Sequence, residues 1–559
     1  MVRNPGTTGH SRRCRRRVVL ACAAALLWVP IPAHSQSWGQ AGDALLSVPA
    51  WYRAWSPLQG GLDPVRRHPL ELAWDGIDRE GFPPPPGLAW DVGNPSGLAL
   101  ELVEPGASVA GTTGLEEGSY RRPLDAGAVE VNRIMGIGWT PLSERAGAAG
   151  AMSASWRTDR APAFANLLEP HTASPHVLAD TSVSSLESIS TTVEGALGGR
   201  FGAWAAGVGL GARLEETRSV EAVVRRNRRH TEPGISLGLA YGFDGRSLRL
   251  GLHGQARTSV TTVYLHPLAA PTRVLRLQGF SDPVPQDITG LYFHRMERSY
   301  EKLGASMDGV MGRIRWRVLG ETGTLRERQS REQSDDPPSD RWRGEMVGGG
   351  VRLELPTASF GSFHLHGEGW RLSGAAHRHG VEGTTFSAEE SGWTVSGHLR
   401  LPLAEGWWWT AHVGMERDDR RQRDRFDRLD VRIRSSSPLG GSQLEAPVGS
   451  RLRVAAGYHL MFRRPAARLP SPDRVGPITR AFVLPELLLM GREARVHILE
   501  VRIARVLDQG GTIALSARRS SASPQPPPAL QAELHPVGTR SRWEVAAGWN
   551  HASPDGRGR

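Results

Sequence analysis

Imidazole pairs are the first chemistry to weigh in this sequence, because histidine binds metals and moves protons near neutral pH. His364 and His366 stand two residues apart beside Glu368, with Arg352 and Glu354 upstream. On a strand, where alternate side chains share a face, these groups point the same way. His398 and His412 flank Ala404-Glu405-Gly406, and a turn there sets the two rings opposite each other, with Arg400 and Glu416 on the same side. Arg249 and His253 alternate with Leu248, Leu250 and Leu252. Together these residues are the candidate site. A wet wall accepts any polar side chain, so the set is read as a lumen lining, and no metal and no cofactor is expected on it.

Other chemistries leave weaker traces. The chain has no glycine–lysine pair, which a phosphate-binding loop needs. Gly207-Val208-Gly209-Leu210-Gly211 imitates part of a dinucleotide fingerprint, but its alternation belongs to a strand that pairs back on residues 186–197. No His-Glu-x-x-His segment is present and no serine is read as sitting on a nucleophile elbow. No enzymatic activity is therefore expected, and a barrel enzyme acting on lipid stays as a third reading.

The elements that position these residues are strands. Residues 1–35 come first and are set aside: Arg12, Arg13, Arg15, Arg16 and Arg17 precede a mostly apolar run from Val18 to Ile31, and Ala33-His34-Ser35 ends in small residues. That is the pattern of a secretory signal, cut near Ser35/Gln36. Cys14 and Cys22 both lie within it, so the remainder has no disulfide, thiolate metal site or cysteine nucleophile. Six of the arginines and no acid lie there too, so the net charge of +11 falls to 11 − 6 = +5. Nucleic acid is not an expected partner, because arginine alternates with acids, as in Glu416-Arg417-Asp418-Asp419-Arg420-Arg421. Beyond residue 35 no apolar run approaches the roughly 18 residues of a membrane helix. Any crossing must be made by strands.

Residues 36–96 are rich in tryptophan and proline and lack periodicity, and are read as a periplasmic arm or partial plug. From 97 to 550 short alternating segments recur between turns. Three hairpins can be paired on paper. A turn at Asp244-Gly245 sets Tyr241 against Leu248, Leu239 against Leu250 and Leu237 against Leu252. A turn at Gly198-Gly199 sets Val193 against Trp204 and Ile189 against Val208. The turn at 404–406 sets Leu401 against Trp409, Leu399 against Ala411 and His398 against His412. Each ribbon has one apolar face and one small, polar face.

In a membrane barrel the apolar face meets lipid and the polar face lines the lumen. Aromatics near strand ends (Trp139, Trp156, Trp204, Tyr241, Phe243, Trp407, Trp409, Phe462, Trp549) suit interfacial girdles. Short turns near 198–199, 244–245, 404–406 and 508–511 alternate with polar stretches at 158–185, 215–232, 263–290, 328–341, 375–391, 419–448 and 519–540, read as outer loops. On these residues the chain resembles a large, porin-like bacterial outer-membrane β-barrel of unknown function, over about residues 97–550. The expected fold is all-β, a single antiparallel transmembrane barrel of about 18 strands (16–20), ending near Trp549 with a polar tail at 551–559. The resemblance implies export to the outer membrane, with lipid and the barrel assembly machinery as partners. Passage of small polar or anionic solutes is the first functional reading. A surface-binding or secretion-associated component is the second. A ring of arginine and histidine implies weak anion preference that strengthens as pH falls from about 7 to 5.

Overall fold

The computed structural model describes residues 106–552, apart from parts of several connections. Residues 1–105 and 553–559, which include the expected signal, the arm at 36–96 and most of the polar tail, lie outside the described residues. In chain order the strands are β1 (Gly106–Gly118), β2 (Ala128–Ser143), β3 (Ala146–Arg160), β4 (Ala165–Asn166), β5 (His176–Asp180), β6 (Leu186–Phe201), β7 (Trp204–Ser219) and β8 (Val224–Phe243). There follow β9 (Leu248–Pro267), β10 (Thr272–Gln278), β11 (Val284–Ile288), β12 (Tyr292–Met311), β13 (Ile314–Ser330), β14 (Asp340–Thr357) and β15 (Gly361–Arg378). The series ends with β16 (Phe386–Ala404), β17 (Trp407–Asp424), β18 (Leu429–Val448), β19 (Leu452–Arg468), β20 (Ala494–Val506), β21 (Gly511–Pro524) and β22 (Arg540–Ala552).

Eighteen of these form one antiparallel sheet in which each strand pairs with its neighbour and β1 pairs with both β2 and β22. The sheet is a closed barrel with no edge left to hydrogen-bond, which is what lets strands cross a bilayer. The other four, β4, β5, β10 and β11, build a small separate sheet that ties the β3–β6 connection to the β9–β12 connection.

Alternation assigns the faces. Large apolar side chains stand outward and exposed, among them Leu239, Leu252, Leu303 and Val413, and polar or small residues alternate with them inward. Outside a membrane such a surface would be unusual, since monomers rarely expose large contiguous apolar patches. The belt is short. On β16 it runs from Leu401, paired with Trp409, to Trp393, a separation of 401 − 393 = 8 residues. At about 3.3 Å per residue and a tilt near 40° that is about 20 Å of height, and the exposed Leu403 beside the turn carries it towards the roughly 25 Å apolar band of a transmembrane barrel. Strands of up to 20 residues therefore continue well past the lipid.

The register confirms one hairpin and corrects two. Leu401↔Trp409, Leu399↔Ala411 and His398↔His412 pair as the 404–406 turn predicts. In β8–β9 the pairing is Phe243↔Leu248 and Tyr241↔Leu250, two residues off the expected register, while 244–247 lie outside the described residues. In β6–β7 the turn falls at Gly202-Ala203, not Gly198-Gly199, so that Val193 meets Ala212 rather than Trp204. Gly202 supplies the positive φ (62°) that a tight hairpin requires, and the turn leaves Phe201 and Trp204 together at the end of the belt. Both slips are even numbers of residues, so every side chain keeps its face. Four expected loops are mostly strand: 215–232 belongs to β7 and β8 apart from 220–223, 419–448 to β17 and β18 apart from 425–428, 263–290 to β9, β10 and β11 apart from the links between them and 289–290, and 375–391 to β15 and β16 apart from 379–385. The last strand runs to Ala552, past the expected boundary at 550.

Candidate functional site

All ten predicted residues lie on the inward face, because their positions share parity with the small and buried residues of each strand. The register sorts them into rungs. Arg315, Glu354, His364, His398, His412, Gly441 and His459 are successive partners across β13 to β19. Four imidazoles thus share one level of the wall. His459 Nδ1 and His412 Nε2 are 3.0 Å apart, and the His398 ring stacks on His412 with centroids 5.6 Å apart. On the next rung Arg352 pairs with His366, with Ser396 beyond it, and Glu368 Oε2 lies 4.0 Å from His366 Nε2. Glu416 lies opposite Thr394 and Ser437.

The expected cations are matched by acids one or two strands away. Arg249 bonds Asp308 at 2.6 Å, and Arg400 bonds Glu445 at 3.1 Å while its guanidinium covers the Trp408 ring at 4.7 Å. Arg453 takes the other Glu445 oxygen at 2.8 Å. His253 lies 3.4 Å from Glu321, which also pairs with Lys302, the sole lysine of the chain. None of Asp308, Glu321, Glu445 or His459 was singled out from sequence, because each meets its partner only once the cross-strand register is known. A signal was present: all four fall on the inward parity of their strands.

Glycine explains how flat rings fit this wall. A Cβ at Gly304 would collide with the His253 ring, one at Gly374 with the Trp342 indole and one at Gly392 with the Trp370 indole. These three inward glycines leave room for rings from adjacent strands.

Towards the long-loop end the inner wall changes character. Val263 and Leu265 on β9, with Tyr292 and Met296 on β12, face inward and bury against Leu178, Val274 and Ile288 of the small sheet. On the other side Tyr300, Leu325, Trp342, Leu372, Phe386, Val431 and Ile433 of the wall pack on Val475, Leu484, Leu487 and Leu488. These last four belong to the β19–β20 connection, 469–493, whose described residues include a helical turn at 487–489 and pack against the inner wall. The polar face was expected to line the lumen; in the outer part that inner face is instead an apolar core shared by the wall and the inturned connections.

Two chemistries can be placed. Gly234-Ile235-Ser236-Leu237-Gly238 matches a Gly-x-Ser-x-Gly pattern in letters, yet it lies within β8, with Ser236 buried on the inner wall. Its hydroxyl has no hydrogen-bond partner, so no base activates it. Among the described residues no group of three or more His, Cys, Asp or Glu side chains encloses a metal position.

No protein-family model and no curated protein matches the sequence. Solved structures do. The ferric yersiniabactin uptake receptor FyuA from Yersinia pestis is 8% identical with a TM-score of 0.38, over 80% of each chain. The siderophore receptor PiuA from Acinetobacter baumannii is 8% identical at 0.37, over 80% of this chain and 82% of that one. CdiB from Escherichia coli is 11% identical at 0.32, over 79% and 62%. This chain is a closed barrel of the bacterial outer-membrane type. That statement rests on its own strand pairing and apolar belt, and at these scores the likeness says nothing of cargo.

Proposed function

We propose that this chain is an exported outer-membrane protein whose barrel passes small polar solutes and is closed at its outer mouth by its own inturned connections. Its short turns and the barrel's first and last strand ends then face the periplasm. Eighteen strands enclose room for an aqueous path, and the belt-level wall carries arginine, histidine, glutamate and serine. The observation that carries the reading is the reversal of the inner wall from polar to apolar where Leu484, Leu487 and Leu488 pack. A wall meant for water at that level would not be apolar, and a wall meant to be sealed for good would not need a polar path below.

Conductance in planar bilayers tests it. The folded wild-type barrel should conduct weakly or intermittently, and Leu484→Asp with Leu488→Asp, which drives the segment off its apolar seat, should raise mean conductance several-fold. Selectivity for anions should be slight, because Asp308 and Glu445 offset Arg249 and Arg400; a reversal potential measured in a salt gradient reads it. Silence from both folded proteins would remove the passage reading. A surface-binding or secretion-associated role would then stand, favoured by the ordered sheet of β4, β5, β10 and β11 that joins two outer connections.

A further inference from the structure

We propose that His412 and His459 form a binding point for a divalent transition-metal ion in the lumen, with His398 and His364 as the next imidazoles on the same rung. Three observations lead there. The four histidines occupy one level of the inner wall by direct strand pairing, not by side-chain reach alone. His412 Nε2 and His459 Nδ1 stand 3.0 Å apart, their rings 4.4 Å between centroids, although a whole strand, β18, runs between them. Gly441 makes that approach possible: a Cβ there would sit 2.7 Å from His412 Cε1 and closer still to His459 Nδ1.

The spacing puts two imidazole nitrogens within reach of one ion. Metal–imidazole bonds are about 2.0–2.1 Å long, so two nitrogens 3.0 Å apart subtend about 91–97° at a shared ion. That is near the cis angle of a square-planar or tetragonal centre such as Cu2+ or Ni2+, and a small turn of either ring reaches the roughly 3.3 Å of a tetrahedral ion. Without metal, one ring donates its N–H to the other; a bound ion takes the place of that hydrogen bond while the proton moves to the same ring's other nitrogen, so both imidazoles bind neutral and binding weakens only where acid protonates them. No third His, Cys, Asp or Glu among the described residues closes the site. The pair therefore gives two ligands and leaves the remaining positions to water. An exchangeable site with further imidazoles beside it suits an ion in passage better than one fixed for structure. The inference needs only the geometry of the wall and holds whether or not solutes cross the barrel.

The test uses the whole mature chain without a histidine tag, folded in detergent, with folding checked by heat-dependent gel mobility. It is titrated with Cu2+ at about pH 7.5, and electron paramagnetic resonance spectra are recorded. One ion per chain should bind, with nitrogen coupling from two imidazoles, and His412→Ala or His459→Ala should each weaken it at least about tenfold. Gly441→Ala keeps both imidazoles but separates them, and should weaken binding by a similar factor. If that variant does not fold, His412→Gln with His459→Gln should abolish the two-nitrogen spectrum in a folded barrel. An unchanged stoichiometry and spectrum in any folded double variant, or no bound Cu2+ in the wild type, overturns the proposal.

Discussion

Each long strand of this barrel has two halves that obey different rules. On β17 the outward residues near the short turn are Trp407, Trp409, Ala411, Val413 and Met415; beyond them come Arg417, Asp419, Arg421 and Arg423. The inward residues reverse in the opposite sense on the neighbouring strand. On β18 they run from Glu445 and Gln443 at belt level to Val431 and Leu429 near the outer end. Below, the apolar face looks out and the polar face in; above, the apolar face looks in. The backbone ladder is continuous through the switch, so hydrogen bonding does not set the pattern. What surrounds the sheet does: lipid outside and a polar lumen inside at one level, water outside and packed connections inside at the next.

The largest expected effect sets one half against the other on a single strand. Leu239→Arg places a charge in the lipid belt and should cost about 2–4 kcal/mol, whereas Thr231→Arg, outward on the same strand above the belt, should cost less than about 1 kcal/mol. Denaturant unfolding in lipid vesicles compares them, and equal losses would erase the boundary drawn here between the halves.

A second test concerns what replaces lipid as the outer-face glue. Above the belt, Asp419 accepts two hydrogen bonds from Arg432, at 3.0 and 2.6 Å, and a third from Arg434 at 3.0 Å. Asp430 accepts a matching pair from Arg421, at 3.1 and 2.6 Å. The hydrogen bonds from Arg432 and from Arg421 hold the Asp419 and Asp430 carboxyls below their ordinary range. A depressed carboxylate stabilises the fold above its unfolded pKa of about 4 and loses that contribution as pH falls through its lower folded value. Both pairs are about a third exposed, so each should be worth only roughly 0.2–1 kcal/mol. Asp419→Asn with Asp430→Asn should lower the melting temperature slightly at pH 7, with the difference shrinking as acid protonates the two carboxyls. A constant difference from pH 7 to pH 2 would show that packing, not charge, joins these strands.

The smallest effect lies at the tip of the same hairpin. Arg428 is the one non-glycine among the described residues with positive φ, at 54°. Arg428→Gly relieves that conformation and should stabilise by up to about 1 kcal/mol, offset by the glycine's greater freedom when unfolded. A loss of more than that would mean the Arg428 side chain anchors the connection.

The same contrast explains what the sequence discloses. At belt level, lipid enforces strict alternation, so strand faces, the candidate residues' inward orientation and the strand number are all readable from period two. Above the belt the signal is lost, since Arg417-Asp418-Asp419-Arg420-Arg421 is polar on both parities and resembles a loop while being strand. Register is harder still. Gly198-Gly199 looks like a turn, but nothing local distinguishes it from Gly202-Ala203, and only the wider sheet decides. His459 escaped notice for a related reason: its partner His412 lies 47 residues away, and the strand between them contributes only a glycine at that level.

The pairing of β1 with β22 has a consequence for the order of events in making this molecule. Gly106 meets Ala552, and Arg540 bonds Glu116, so the seam joins the first residues synthesised in the barrel to the last. Until β22 exists, the other strands form an open sheet with two unsatisfied edges, and in lipid neither edge has water to turn to. A chain stopped before residue 540 is thus not a barrel lacking one stave. It is a template for pairing with whatever strand it meets first, and β22 must arrive before that happens.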